Sequence, residues 1–219
     1  MNRQMMIGLA GTVAIVVAGC AAMQTGPTDP AIEAKAVEMM KTSFKDKGQA
    51  KLARLNQDET QHLCSVWGGK EMPKDVAEKI ERANLALIKW PADGKLVGDW
   101  KQGEKIAQEG RGMQYSDSPT GPVGANCYAC HQLSKQEVSY GTMGPSLHNF
   151  AKIRGYTEET RRYAWSKVWN AQAFSACTNM PRFGHNGILS EQQVRDVVAL
   201  LVLEHQAHQC PECRAGLPP

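Results

Sequence analysis

The chain carries little net charge, with a formal balance of only +3 at neutral pH over 219 residues. It has no run of basic residues interleaved with exposed-looking aromatics, so nucleic acid is not an expected partner. It also lacks any apolar stretch of the roughly 20 residues needed to cross a bilayer. No alternating apolar and polar pattern runs longer than four residues, and no segment repeats. These absences exclude a membrane-spanning helix, a β-rich core and a solenoid. Apolar residues are not scarce: at 42% hydrophobic content nothing in the composition points to disorder. What remains is a helical, globular chain long enough for one full domain plus a sizeable extension.

The amino terminus reads as an address. Arg3 precedes an apolar run from Met5 to Val17, which ends in Val17-Ala18-Gly19-Cys20. That is the pattern of a secretory signal. Small residues before a cysteine suit a lipoprotein signal peptidase, which would leave Cys20 as a lipidated first residue; cleavage beside Ala21 or Ala22 is the alternative. Either way the mature protein is expected in the periplasm, touching a membrane only through a lipid on Cys20. Residues 21–30, rich in small residues, Gly and Pro, read as a flexible tether.

Beyond the tether the apolar spacing is helical. Asp29 and Pro30 suit a helix start, followed by Ile32, Ala36, Val37, Met40 and Phe44. A second helix is expected over Asp58 to Trp67. A third begins near Pro73, with Val76, Ile80, Ala83 and Leu87 on one face. Pro91 and Gly94 then mark a loop. Asp99 is a cap for a short helix holding Trp100, Gly103, Ile106, Ala107 and Gly110. A glycine inside a helix costs about 1 kcal/mol relative to alanine, so Gly103 calls for close approach of another helix. The partner expected is the one opened by the capping box Ser190 to Gln193, with Val194, Val197, Val198 and Leu201 on one face. Between them a helix from Thr157 to Trp169 should bury Tyr163 and Trp169. Met39, Met40 and Met72 read as core filler.

The residues Cys127-Tyr128-Ala129-Cys130-His131 form Cys-x-x-Cys-His, the attachment pattern for a c-type haem. Two thiols on one helical turn can each form a thioether with a vinyl group of the porphyrin, and the next residue then points its imidazole at the iron. A redox dithiol would expect a thioredoxin-like strand and helix around it, and a zinc site would need a second ligand pair. The fold expected is all-α, a class I cytochrome c-like haem domain over 95–208. It would follow a signal peptide (1–20), the tether (21–30) and a helical extension (31–94), and precede a tail (209–219). One haem c is expected, with Cys127 and Cys130 as its covalent attachments and His131 as one axial ligand.

For the second axial ligand, Met180 lies in the irregular, Pro-stiffened loop Thr178 to Gly184, from which a thioether can reach across the far haem face. His185 is its main rival. Met143, only 12 residues past His131, should stay on the histidine side. In that loop Pro145 can set the backbone so that a carbonyl accepts the free imidazole N–H, orienting His131. Cys64, Cys177, Cys210 and Cys213 are left over and allow three pairings; Cys64 with Cys177 is preferred, clipping the extension to the Met180 loop. The tail Cys210-Pro211-Glu212-Cys213 has no following histidine, so it is not a second haem site. With His205 and His208 it could hold a metal, or form a local disulfide or a redox-sensitive pair.

The chain resembles the SoxX-type subunit of the SoxAX cytochromes of bacterial sulfur oxidation. The likeness is carried by Gly103 to Gly110, Asn126 to Gln132, Gly141 to Leu147 and above all Asn179-Met180-Pro181-Arg182-Phe183-Gly184-His185-Asn186-Gly187. It covers residues 95–205, and residues 31–94 look like an amino-terminal extension that some members carry. The lipobox and the Cys210/Cys213 tail depart from the family pattern. The resemblance implies an L-cysteine S-thiosulfotransferase complex, which joins thiosulfate oxidatively to a cysteine of the SoxYZ carrier. Bond formation would take place at the haem of a SoxA-type cytochrome subunit. This chain would hold no catalytic residue and would relay the released electrons to a soluble cytochrome c. The extension is expected to widen the partner interface or shield one haem edge. The alternative function is that of an independent, membrane-tethered electron carrier.

Overall fold

A computed structural model describes residues 29–209 except Gly69 and Gln136. The signal run, Cys20, most of the tether and the Cys210/Cys213 tail fall outside the described residues, as do the side chains of His205 and His208. The described residues form seven α-helices: α1 (Pro30–Ser43), α2 (Glu59–Val66), α3 (Lys74–Ala86), α4 (Trp100–Gln108), α5 (Phe150–Arg154), α6 (Glu158–Trp169) and α7 (Glu191–Gln209). Single 3₁₀ turns occur at Leu52–Leu55, Cys127–Ala129 and Ala171–Ala173. Among the described residues there is no strand, only an isolated bridge between Lys47 and Ala50.

The helix starts follow from their caps. Asp29 accepts from the Ala31 N–H, with Pro30 in the first turn. Asp58 and Gln61 form a complete capping box on α2. Asp99 caps α4, Thr157 caps α6, and Ser190 with Gln193 opens α7.

The core lies where α4, α5 and α6 pack on α7. The expected α7 face of Val194, Val197, Val198 and Leu201 is buried, but so are Ala199, Leu200 and Val202, because helices cover it on more than one side. Gly103 is buried against α7 as its cost demanded: a Cβ there would overlap the Asp196 carbonyl oxygen. The same contact is laced by polar bonds. The Asp99 N–H donates to the buried Asp196 carboxylate at 2.9 Å, and the Gly98 N–H donates to the Arg195 carbonyl at 3.0 Å.

Three expectations about burial change. Met39 and Met40 are not core filler: no residue of α1 is buried, although the helix touches the Leu52–Leu55 turn and Glu33 lies 3.9 Å from His62. On α3 the buried residues are Ile80 and Asn84, followed by Ile88 just past its end, while Ala83 and Leu87 are exposed. The helix is turned so that the wholly buried Asn84 amide reaches Thr60 and the Ile80 carbonyl and accepts from the buried Asn170 at 2.9 Å. On α6, Trp169 is buried as expected but Tyr163 is only half-buried; the fully enclosed ring is Trp165. Trp165 stacks on Trp169 and donates from its indole nitrogen to the Lys89 carbonyl at 2.9 Å. Ile88 and Leu96 join the same apolar core, so the segment before α4 is built into it.

Gly103→Ala tests the closeness of α4 and α7. The added methyl has no room against backbone, so a net loss of about 1–3 kcal/mol in urea unfolding is expected despite alanine's better helix propensity. An unchanged midpoint would mean that the helices are not held this tightly.

Candidate functional site

The Cys127–Ala129 turn is seated by backbone bonds on two sides. From the α4 end, Ala125 N donates to the Ile106 carbonyl at 2.9 Å and Asn126 N to the Glu109 carbonyl at 3.0 Å. From α7, the Gln193 side chain donates to the Val123 carbonyl at 3.0 Å. Gly124 sits where a Cβ would overlap the Glu109 carbonyl oxygen, so only glycine lets these strands of chain approach. On the far side, Gly141 N donates to the Tyr128 carbonyl, Gly144 N to the Cys130 carbonyl and Leu147 N to the Gln132 carbonyl, at 2.7–2.9 Å. The loop from Gly141 to Leu147 therefore lies alongside the cysteine turn.

His131 is fixed by that loop. The Pro145 carbonyl oxygen lies 2.7 Å from its Nδ1. A carbonyl can only accept, so Nδ1 carries a proton, and in the neutral ring Nε2 is then the nitrogen with the free lone pair. Gly144 backs the ring so closely that a Cβ would overlap it. Cys127 and Cys130 are free thiols, both half-buried. Burial pushes the Cys127 thiol up to about 12, the opposite of the depressed value that a redox dithiol needs. Among the described residues, no group of three His, Cys, Asp or Glu side chains is placed to hold a metal ion.

Met180 lies on a separate irregular loop and is half-buried; Cys127 and Met180 both pack against the one apolar core. Met143, by contrast, is 74% exposed. His185 is half-buried, and burial and the Arg182 charge hold its imidazole below the usual value. Cys177 is bonded to Cys64 on α2, the pairing preferred from the sequence. Arg182, itself buried, pairs with Asp58 at the start of α2. Burial alone would raise the Asp58 carboxyl, but the Gln61 N–H and the Arg182 guanidinium outweigh it and hold the group below 3.8. In the sequence Asp58 stood only as the start of an expected helix, and Arg182 only as part of the run around Met180. A buried arginine 124 residues from its partner leaves no local signal. Gly144 was also missed as a contact of the histidine, although its place beside Pro145 was a cue.

The residues fit a covalent haem. Two thiols on one turn and an imidazole with Nε2 unprotonated are the donor set it needs. In addition, Trp169 Nε1 is a buried donor with no partner among the described residues, the kind of group that a bound cofactor's acceptor completes. An all-α core around such a turn is a class I cytochrome c-like fold. Residues 122–202 match the family model of cytochrome c, so this part of the chain carries a cytochrome c domain, which implies covalently bound haem c. The chain is also similar to an uncharacterized lipoprotein of Aquifex aeolicus (strain VF5), 34% identical over 132 residues, which are 58% of this chain. The match spans 60% of that relative's length.

Gly144→Ala should displace the His131 ring or the loop behind it. A fall in haem incorporation of about 10-fold or more is expected, the scale on which a ligand's supporting contacts act; haem staining and the visible spectrum of the purified protein measure it. Wild-type haem content in the variant would show that the loop yields freely.

Proposed function

We propose that the chain holds one haem c on Cys127 and Cys130, with His131 and Met180 as axial ligands and Pro145 orienting His131. We propose further that it serves as the SoxX-type electron-relay subunit of a SoxAX L-cysteine S-thiosulfotransferase. When bound, haem c supplies a one-electron iron couple, and thioether ligation raises its potential, which suits an acceptor. The chain's own residues hold and shield that couple. Pro145 fixes the tautomer and direction of His131, and Gly144 leaves the ring its space. Cys64 and Asp58 tie the Met180 loop from either side. The observation that carries the two-ligand reading is this pair of restrained loops, one bearing an imidazole and the other a half-buried thioether. Two protein ligands leave no open site for substrate, so relay and not bond formation is the task.

The sulfur-oxidation assignment rests on the run Asn179 to Gly187 and the other matched segments. In this reading the partners are a SoxA-type cytochrome subunit, the SoxYZ carrier and a soluble cytochrome c as acceptor. Expected results are co-purification with a second haem protein, and thiosulfate-dependent reduction of the acceptor that slows about 10-fold or more on Met180→Leu. A stable monomer that captures no partner and gives no thiosulfate-dependent turnover would instead favour an independent tethered carrier.

The name of the Aquifex relative supports a lipid on Cys20 and attachment to a membrane facing the periplasm. No helix among the described residues is long and apolar enough to cross a membrane. Cys20→Ser is expected to move the protein into the soluble periplasmic fraction, and unchanged membrane association of that variant would count against the anchor.

A further inference from the structure

Met180 is bracketed by two ties that end on the same helix. Three residues before it, Cys177 is bonded to Cys64 within α2, across a separation of 113 residues. Two residues after it, Arg182 pairs with Asp58, the cap of α2. The Arg182 side is buried, with Phe183 next to it in the apolar core. The Cys177 side is different. Apart from the disulfide it is held by single hydrogen bonds, from Ala176 N to the Glu81 carboxylate at 3.1 Å and through the Gln172 side chain to Cys177 N and the Thr178 carbonyl. Cys177 itself has a φ of +59°, a left-handed conformation that a residue with a side chain adopts only under restraint. An open cavity of about 890 Å³ is lined by Cys64, Cys177, Met180, Trp67, Met72 and Thr178. Both cysteines of the bridge and Met180 therefore line one open space, large enough for a small thiol to enter.

We propose that the Cys64–Cys177 disulfide is a thiol-responsive clasp: while closed it keeps Met180 in its ligand position, and opened by a dithiol it lets the loop swing away. The inference rests on the reading of Met180 as an iron ligand. In the exchange, one thiolate of the dithiol attacks a bridge sulfur to form a mixed disulfide, and the second thiol displaces it. The dithiol is oxidised to its own disulfide, and Cys64 and Cys177 together take up two electrons and two protons. The Cys177 side then keeps only its hydrogen bonds, the left-handed conformation is no longer imposed, and Met180 is anchored on one side alone. The clasp would couple extracytoplasmic thiol status to the iron's sixth ligand, switching the protein between a relay and a form open to exogenous ligands.

The test uses the ferric holoprotein. It is treated with dithiothreitol, the freed thiols are capped with iodoacetamide, and the iron is returned to the ferric state with ferricyanide. Peptide masses identify the capped residues. The long-wavelength charge-transfer band of thioether-ligated ferric haem is then recorded, and carbon monoxide binding is measured after reduction with dithionite. Expected are capping of Cys64 and Cys177, loss of the band and carbon monoxide binding that the untreated protein lacks. Reoxidation with diamide in place of capping should restore the starting state. Capping of both residues with the band intact would reduce the bridge to a staple and overturn the proposal, as would cysteines that resist dithiothreitol until the protein is unfolded. If the untreated protein already lacks the band or binds carbon monoxide, the ligand assignment fails first, before any thiol is added, and the clasp falls with it. The Cys64→Ser, Cys177→Ser double variant, where it folds, should show the opened state without any reductant.

Discussion

The close approach of α4 to α7 at Gly103 governs where the Cys127 turn and the Met180 loop lie. With no side chain at Gly103, the backbone of α4 rests directly on the Asp196 turn of α7, and the Asp99 N–H bonds the Asp196 carboxylate beside it. The carboxyl end of α4 then carries the two backbone bonds that seat the Cys127 turn, and the start of α7 follows directly on the loop that bears Met180. Fixing one helix against the other thus sets the separation of two irregular segments that have few helical bonds of their own. The Gln193 side chain, reaching from the first turn of α7 to the Val123 carbonyl, adds a direct strut between them.

The segment before α4 belongs to this arrangement. Trp165, at the centre of the core, donates to the Lys89 carbonyl; the Asn170 amide donates to both the backbone carbonyl and the side-chain oxygen of buried Asn84; and Arg162 lies 4.0 Å over the Trp90 ring. The two helices α2 and α3 thereby reach the Met180 loop from its outer side, with Cys64, Asp58 and Glu81 as their contact points. From the sequence this region was expected to widen a partner surface or to cover a cofactor edge. Its contacts give it a further part, as a splint for the loop.

Features that depend on short-range chemistry were legible in the sequence. Asp29, Asp58, Asp99, Thr157 and Ser190 each stand one residue ahead of an observed helix, because a cap needs only a side-chain oxygen within hydrogen-bond reach of the next turn. The Cys127 to His131 motif and the demand of Gly103 for a close neighbour are equally local. Helix faces were harder to read. Of the apolar face expected around α3, Ile80 is buried, but Ala83 and Leu87 are exposed and Asn84 is buried instead, with its partners Thr60 and Asn170 24 and 86 residues away. On α1 the apolar spacing was real and its burial was not, since periodicity shows which residues share a face and says nothing of what lies opposite. Long-range polar pairs such as Asp58 with Arg182 carry no pattern at all. The disulfide was reachable only because elimination left few cysteines to pair.

In the relay proposed above, the restraint on His131 bears on electron transfer itself. Its ring is gripped from one direction by the Pro145 carbonyl and backed from another by Gly144, with the flanking chain pinned to the Tyr128 and Cys130 carbonyls. A group confined in this way moves little when the charge beside it alters. Little nuclear rearrangement then has to accompany each gain or loss of an electron, and a small reorganisation energy is what lets a carrier exchange electrons quickly under modest driving force.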